Sequence, residues 1–311
     1  MNTIIEKIQR SWQLFERSVR VLREQPKLLV FPLVTGLVTA VIALFFLVPV
    51  GLALLAPHWV AGGKIQSIAN SIGFLQLQNG PNFGVQIHAL GSILLAGVYL
   101  LNMFVASMAS VAFSYEIFEA LNRRPVSISR GIAAACARWK SILLWSLLAG
   151  TVGLIIRAIE DRLSFVGRLV AGLIGLAWST ASIFAIPGLA RDPAFSNPFA
   201  ILSRSVQTIK RTWGEALVGY VGMQGTNVLF VLGSIVFWIV AGLAAIGLSN
   251  AWILLPLGVG WLLALIVYGY LASIASRVYL CALFLYASEG AVPGEFYDAS
   301  MMNMGWKLKK K

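Results

Sequence analysis

The 311 residues hold two histidines, two cysteines and twelve acidic residues from which reactive chemistry could be built. His58 and His88 fall in one segment, 57–88, which carries no Asp, Glu or Cys. A bound metal needs three or four converging ligands, so no metal site is expected there. Cys136 and Cys281 are too few for a disulfide framework, and both fall on or near the side assigned below to the reducing cytoplasm. A hydrolase needs a nucleophile beside a base, or a metal with an open position. Neither can be assembled, and Glu116, Glu119, Asp192 and Glu215 stand near arginines, where ion pairing is their expected use. The sequence therefore predicts no enzyme and no cofactor.

A second cluster, Arg157, Glu160 and Asp161, is spaced i, i+3, i+4, which places all three on one helical face. The spacing predicts ion pairs of structural use, with an external mouth or gate as the alternative. The uncharged polar residues Asn102, Ser107, Ser110, Gln224, Thr226 and Asn227 sit within long apolar stretches. Any one of them is expected to hydrogen-bond between helices; together they could instead line a passive conduit, which needs only hydroxyls, amides and carbonyls. An ion-coupled transporter would place ionisable residues near mid-membrane, and these stretches hold none there.

Those stretches dominate the chain. Hydrophobic residues make up 59%, charged residues 12%, and mean hydropathy is +0.82. Lys, Arg, Asp and Glu are absent from 28–63, 65–115, 141–156, 169–190 and 216–276. A spanning helix needs about 20 apolar residues, so the sequence predicts an all-α membrane protein. Six spans fit, at about 28–56, 89–113, 141–159, 167–190, 216–247 and 251–276. The first apolar stretch, beginning at Leu28, is too late and too long for a cleaved signal.

The basic residues alternate with the spans. Of 24 Lys and Arg, 20 lie before residue 28, in 114–140, in 191–215 and from Arg277 onward. The other 4 lie in 57–88 and 157–168. By the positive-inside rule both termini of this multi-pass chain are cytoplasmic. The net charge of +12 is then directed at anionic lipid headgroups, not at nucleic acid.

Three basic segments share one pattern. Phe199, Leu202, Val206, Ile209 and Trp213 recur every three or four residues, the stripe of an amphipathic helix over 198–213. Ile128, Ile132, Ala135 and Trp139 repeat it over 126–140, and Trp12, Phe15, Val19 and Leu22 over 3–24. Arg17-Ser18-Val19 matches Arg204-Ser205-Val206. Opposite the stripes stand Arg17, Arg20 and Arg23; Arg130 and Arg138; and Arg204, Lys210 and Arg211, the candidate headgroup contacts. Such helices can lie in the headgroup plane or pack on the protein's own spans, and the two are compatible. Trp12, Trp139 and Trp213 are candidate interfacial anchors, with packing on neighbouring spans as the alternative.

The chain thus divides into one membrane domain of three units, each an amphipathic helix and two spans. They cover about 3–113, 126–190 and 198–287, followed by a cytoplasmic tail over 288–311. Ile65, Ile68, Ile72 and Leu75 predict a short interfacial helix in the external loop. Ala171, Gly175 and Ser179, and Gly219, Gly222 and Gly225, form small-residue seams that could pack helices within the chain or between copies.

Four groups of residues carry a family resemblance. They are Ile8-Gln-Arg-Ser-Trp12 with Val21-Leu22 and Leu28-Leu-Val-Phe-Pro32; Thr151-Val-Gly153 with Arg157-Ala-Ile-Glu160; Arg211-Thr-Trp-Gly-Glu215; and Tyr286-Ala-Ser-Glu-Gly290 with Val292-Pro293. In these the chain resembles an uncharacterised family of six-span bacterial membrane proteins known only as a domain of unknown function. The resemblance implies a bacterial cytoplasmic membrane and implies no activity. The role expected from the residues is a membrane scaffold acting through lipid or partner contacts of the three helices, with a homo-oligomeric conduit as the alternative.

Overall fold

The computed structural model describes residues 16–55, 75–78, 84–87, 89–192, 197–211, 215–247, 252 and 254–290. Helix α1 occupies 16–24 and leads through a 3-10 turn, Pro26–Leu29, into α2, Val30–Leu55. Pro32 falls in the first turn of α2, where its missing N–H has no partner to lose. A hairpin of β1, Leu75–Gln78, and antiparallel β2, Gly84–Ile87, precedes α3, Ala89–Leu121. Leu75, expected in an interfacial helix, opens a strand instead; Leu75 to Gln78 alternates apolar and polar, a period of two. Ile65, Ile68 and Ile72 lie outside the described residues.

Helix α4, Ile128–Cys136, turns sharply into α5, Trp139–Arg162. Then follow α6, Phe165–Ala181; α7, Ala185–Arg191; α8, Pro198–Arg211; α9, Glu215–Gly247; and α10, Leu254–Glu289. Among the described residues, six helical segments are long and apolar enough to cross a membrane.

Two spans run further than their apolar stretches predict. Helix α3 continues past Glu116 and Glu119 to Leu121, and α10 past Arg277 to Glu289. A charge ends the hydrocarbon-facing stretch but not the helix, because these extensions are buried in protein. Ile117, Phe118 and Tyr279 to Ala287 are core residues. The fourth span, expected as one helix over 167–190, breaks at Ser182–Phe184. The cause is Pro187, whose ring excludes the carbonyl four residues back, at Ile183. Pro187 itself sits in the first turn of α7.

The three even-numbered spans converge at the basic end of the bundle. Phe284 of α10 meets Phe118 of α3 at 6.1 Å and Phe184, ahead of α7, at 5.9 Å between ring centroids. Around this centre gather Leu28, Phe31, Val111, Ile142, Leu189 and Ile274, with Phe31 stacked on Phe113 at 5.5 Å. Helix α3 is the hub, packing against α2, α4, α5, α7 and α10. Away from the core, the helices pair chiefly as hairpins: α2 with α3, α5 with α6, α9 with α10. There Leu33, Leu37, Leu173, Ile239, Leu243 and Leu263 are all exposed.

Helix α5 approaches α3 through Gly150 and Gly153. A Cβ on Gly150 would stand 2.9 Å from Leu100 Cδ2, and one on Gly153 3.0 Å from the Tyr99 hydroxyl. The expected seam on α6 is used in part. Ala171 is buried and Gly175 faces Ile156 of α5, while Ser179 is exposed.

Candidate functional site

Helices α1, α4 and α8 form a collar around the core, and their burial follows the alignment of the three sequence segments. Ser18, Gly131 and Ser205 occupy matching positions and all are buried, as are Leu22, Ala135 and Ile209. Arg20, Ala133 and Gln207 match and are exposed; so are Arg23, Cys136 and Lys210.

A small residue is required where each collar helix touches the core most closely. A Cβ on Gly131 would stand 2.9 Å from Glu116 Cγ, 3.0 Å from the Ala112 carbonyl and 3.2 Å from Phe31 Cζ. Ser205 has a second duty: its hydroxyl accepts the Phe184 N–H at 3.1 Å, a backbone donor left by the break in the fourth span.

The face that packs inward is turned from the face the apolar stripe predicts. On α8 the buried residues are Ile201, Ser205, Thr208 and Ile209, while Leu202 and Val206 are half-buried and Phe199 is 65% exposed. On α4, Ile132 is 49% exposed and Trp139, which opens α5, is 48% exposed. The collar therefore packs on the protein with one edge of its apolar stripe and presents the other edge outward.

The arginines divide into two groups. Arg130 is pinned to α3: its Nε donates to Glu116 Oε1 at 2.9 Å and its Nη2 to Glu116 Oε2 at 2.8 Å. The same Nη2 donates to the Pro125 carbonyl at 2.9 Å. The Ser127 N–H donates to Glu116 Oε2 at 2.7 Å, so Glu116 also caps the start of α4. Glu116 is fully buried, and a buried carboxylate persists only when paired and hydrogen-bonded. The hydrogen bond to Glu116 raises the Arg130 pKa above its ordinary value, against the opposing effect of desolvation. Arg124 pairs with Glu119 at 3.3 Å, and Arg204 with Asp192 at 3.0 Å. Arg191 grips Glu289 with two bonds, at 2.7 and 3.0 Å, tying α7 to the end of α10. Arg138 places its guanidinium 5.7 Å from the Tyr115 ring and donates to the Ala134 carbonyl. Ion pairing was thus the right reading for Glu116, Glu119 and Asp192; only the backbone of Glu215 is described.

The second group faces outward. Arg20, Arg23, Lys140 and Lys210 are exposed, and Arg17 is half-exposed. Lys140 holds its ammonium 5.8 Å from the ring of Trp139. Trp12 and Trp213 lie outside the described residues. Of Arg211, Gln224, Thr226 and Asn227 only the helical backbone is described.

The remaining candidates are scattered. Ser107 is buried, Ser110 is half-buried, and Asn102 Oδ1 is sealed from solvent without a hydrogen-bond partner. Arg157, Glu160 and Asp161 share a face of α5 as their spacing requires, yet no ion pair joins them. Arg157 and Asp161 are exposed, and solvated pairs gain too little to fix two long side chains. Cys136 is exposed and Cys281 buried.

One long-range link escapes sequence reading. Arg191 and Glu289 are 98 residues apart with no shared motif. Ser205, by contrast, aligns with Ser18 in the sequence alone, whereas Gly131 at the matching position is not singled out there.

Among the described residues, six helices long and apolar enough to cross a membrane, joined at a packed end, define a polytopic α-helical membrane protein. The chain belongs to the family of unknown function DUF6159, whose model matches residues 89–294. The match leaves out α1 and the motifs at 8–32, and it includes α4 and α8. No curated protein and no solved structure matches the chain.

Proposed function

We propose that this is a non-enzymatic protein of the bacterial cytoplasmic membrane whose collar grips the anionic inner leaflet. Its termini are cytoplasmic and its three units are variants of one helix–span–span plan. The observation that carries the reading is the double character of the collar. On α8 the exposed Phe199 shares its helix with the exposed Lys210. At the α4–α5 junction the exposed Ile132 and Trp139 stand near the exposed Lys140, while α1 adds the exposed bases Arg20 and Arg23. That pairing suits the boundary between hydrocarbon and phosphate. Arg130 and Arg204 contribute less, because each already holds a carboxylate.

The test compares the wild type with a variant carrying Arg20→Gln, Arg23→Gln and Lys210→Gln. At about 1 kcal/mol per charge, the variant's preference for phosphatidylglycerol over phosphatidylcholine, read by native mass spectrometry, falls roughly 100-fold. High salt reproduces part of the loss, since exposed charges are screened beyond about 8–10 Å. An unchanged preference overturns the reading. Orientation is tested separately: a cysteine at position 60 labels from outside intact cells, and one at position 195 does not.

A further inference from the structure

The last hairpin contains a slot. Helices α9 and α10 touch at two aromatic posts: Phe230 stacks on Tyr268, with centroids 4.1 Å apart and planes at 4°, and Trp238 meets Trp261 edge-on at 5.7 Å. An open groove of about 570 Å³ runs past the Trp238–Trp261 post, walled by Gly233, Ser234 and Phe237 on one side and by Leu257, Gly260 and Trp261 on the other.

Glycines in membrane helices ordinarily permit close contact between backbones. Gly233 and Gly260 do not: a Cβ on either would find nothing within 4 Å. Here the missing side chains make room. The groove's size falls within the range of small-molecule sites, roughly 300–1,000 Å³.

The wall dictates the occupant. No charged residue occurs anywhere in 216–276, and the Ser234 hydroxyl is already bonded to the Phe230 carbonyl at 2.8 Å. The indole N–H of Trp261, a wall residue, is sealed from solvent without a hydrogen-bond partner. The wall thus offers one free donor and no charge, too little to replace the hydration of an ion. Both walls belong to candidate membrane spans, so the surrounding medium is hydrocarbon. An unfilled groove there forfeits dispersion contacts along its walls, which a methylene chain restores.

We propose that the slot between α9 and α10 binds one acyl chain of a membrane phospholipid as a fixed ligand, distinct from the exchanging lipids around the bundle. The proposal does not rest on the charge of the collar, and its test uses a zwitterionic lipid so that the two stand or fall separately. The full chain is placed in nanodiscs of phosphatidylcholine bearing a photoreactive diazirine midway along one acyl chain, and crosslinked peptides are mapped. Crosslinks concentrate on Phe237, Leu257 and Trp261. In the Gly233→Leu/Gly260→Leu variant they fall about tenfold, while those on the outward-facing Leu232 and Leu262 persist. Even labelling of slot and outward residues in the wild type, or slot labelling unaffected by the variant, overturns the proposal. Should the variant misfold by circular dichroism, native mass spectrometry of the wild type decides. One phospholipid per chain retained through detergent exchange supports the slot, and complete delipidation refutes it.

Discussion

A methyl group added at Gly131 would meet Glu116 Cγ at 2.9 Å and the Ala112 carbonyl at 3.0 Å; one added at Gly172 or Gly242 would find nothing within 4 Å. The first glycine belongs to the basic end, where three spans, three collar helices and a phenylalanine cluster interlock. The others belong to the far part of the bundle, where helices run in pairs with apolar faces bare. The contrast follows from the solvent at each level. Where helices leave hydrocarbon for water, burying apolar surface drives them together. Within hydrocarbon that drive vanishes, because lipid tails are as apolar as leucine, and helices pack only where shape and hydrogen bonds favour it. The protein is held as a unit at one end, and over the rest its helices pair with their apolar faces exposed.

The sharpest break of this comparison is Arg130→Ala. It leaves Glu116 buried with its charge uncompensated, a situation that costs about 3–5 kcal/mol. Arg130 is itself 36% exposed, so the lower figure, about 3 kcal/mol, is expected in unfolding titrations with sodium dodecyl sulfate. A loss under about 1 kcal/mol would mean that the basic end is not held by this pair. Gly131→Ala comes next, at about 2 kcal/mol by the same titration, because backbone and a buried side chain must both give way. Ser205→Ala orphans the Phe184 N–H inside the core, for about 1.5 kcal/mol. Ser205→Thr, which keeps the acceptor, isolates the hydrogen bond from mere change of shape.

In the far part the sign reverses. Gly172→Ala and Gly242→Ala add a methyl into open space and gain up to about 1 kcal/mol of helix propensity each. If either proves as damaging as Gly131→Ala, those faces are packed against something, and a second copy of the chain becomes the first candidate.

This division also explains what the sequence disclosed. Spans, their number and the basic collar were legible because charge and periodicity act locally. Glu116, Glu119 and Asp192 could be read as ion-paired because arginines lie nearby in sequence. The helices' continuation past Glu116 and Arg277 was not legible, since whether a charge ends a helix depends on what packs around it. Nor was the turned face of α8. Its apolar stripe shows which residues avoid water, but protein and lipid both satisfy that demand. The break in the fourth span was not legible either: Pro187 acts four residues upstream, at Ile183, inside a stretch whose apolar character is unbroken.

The smallest effect gives the finest test, because it compares one chemistry at two depths. Arg191 and Glu289 form the same two-bonded guanidinium–carboxylate pair as Arg130 and Glu116, at 2.7 and 3.0 Å. Their side chains, however, are 41% and 36% exposed, against full burial of Glu116. Water then competes for both partners, and removing one leaves no stranded charge. A double-mutant cycle of Arg191→Ala and Glu289→Ala should return a coupling of about 0.5 kcal/mol, shrinking as salt is added. The same cycle at Arg130 and Glu116 should return several times more and respond weakly to salt. Equal couplings would show that burial does not separate the two pairs. The Arg191 pair would then be as much a part of the packed core as Glu116, and the firm end of the molecule would extend to the last turn of α10.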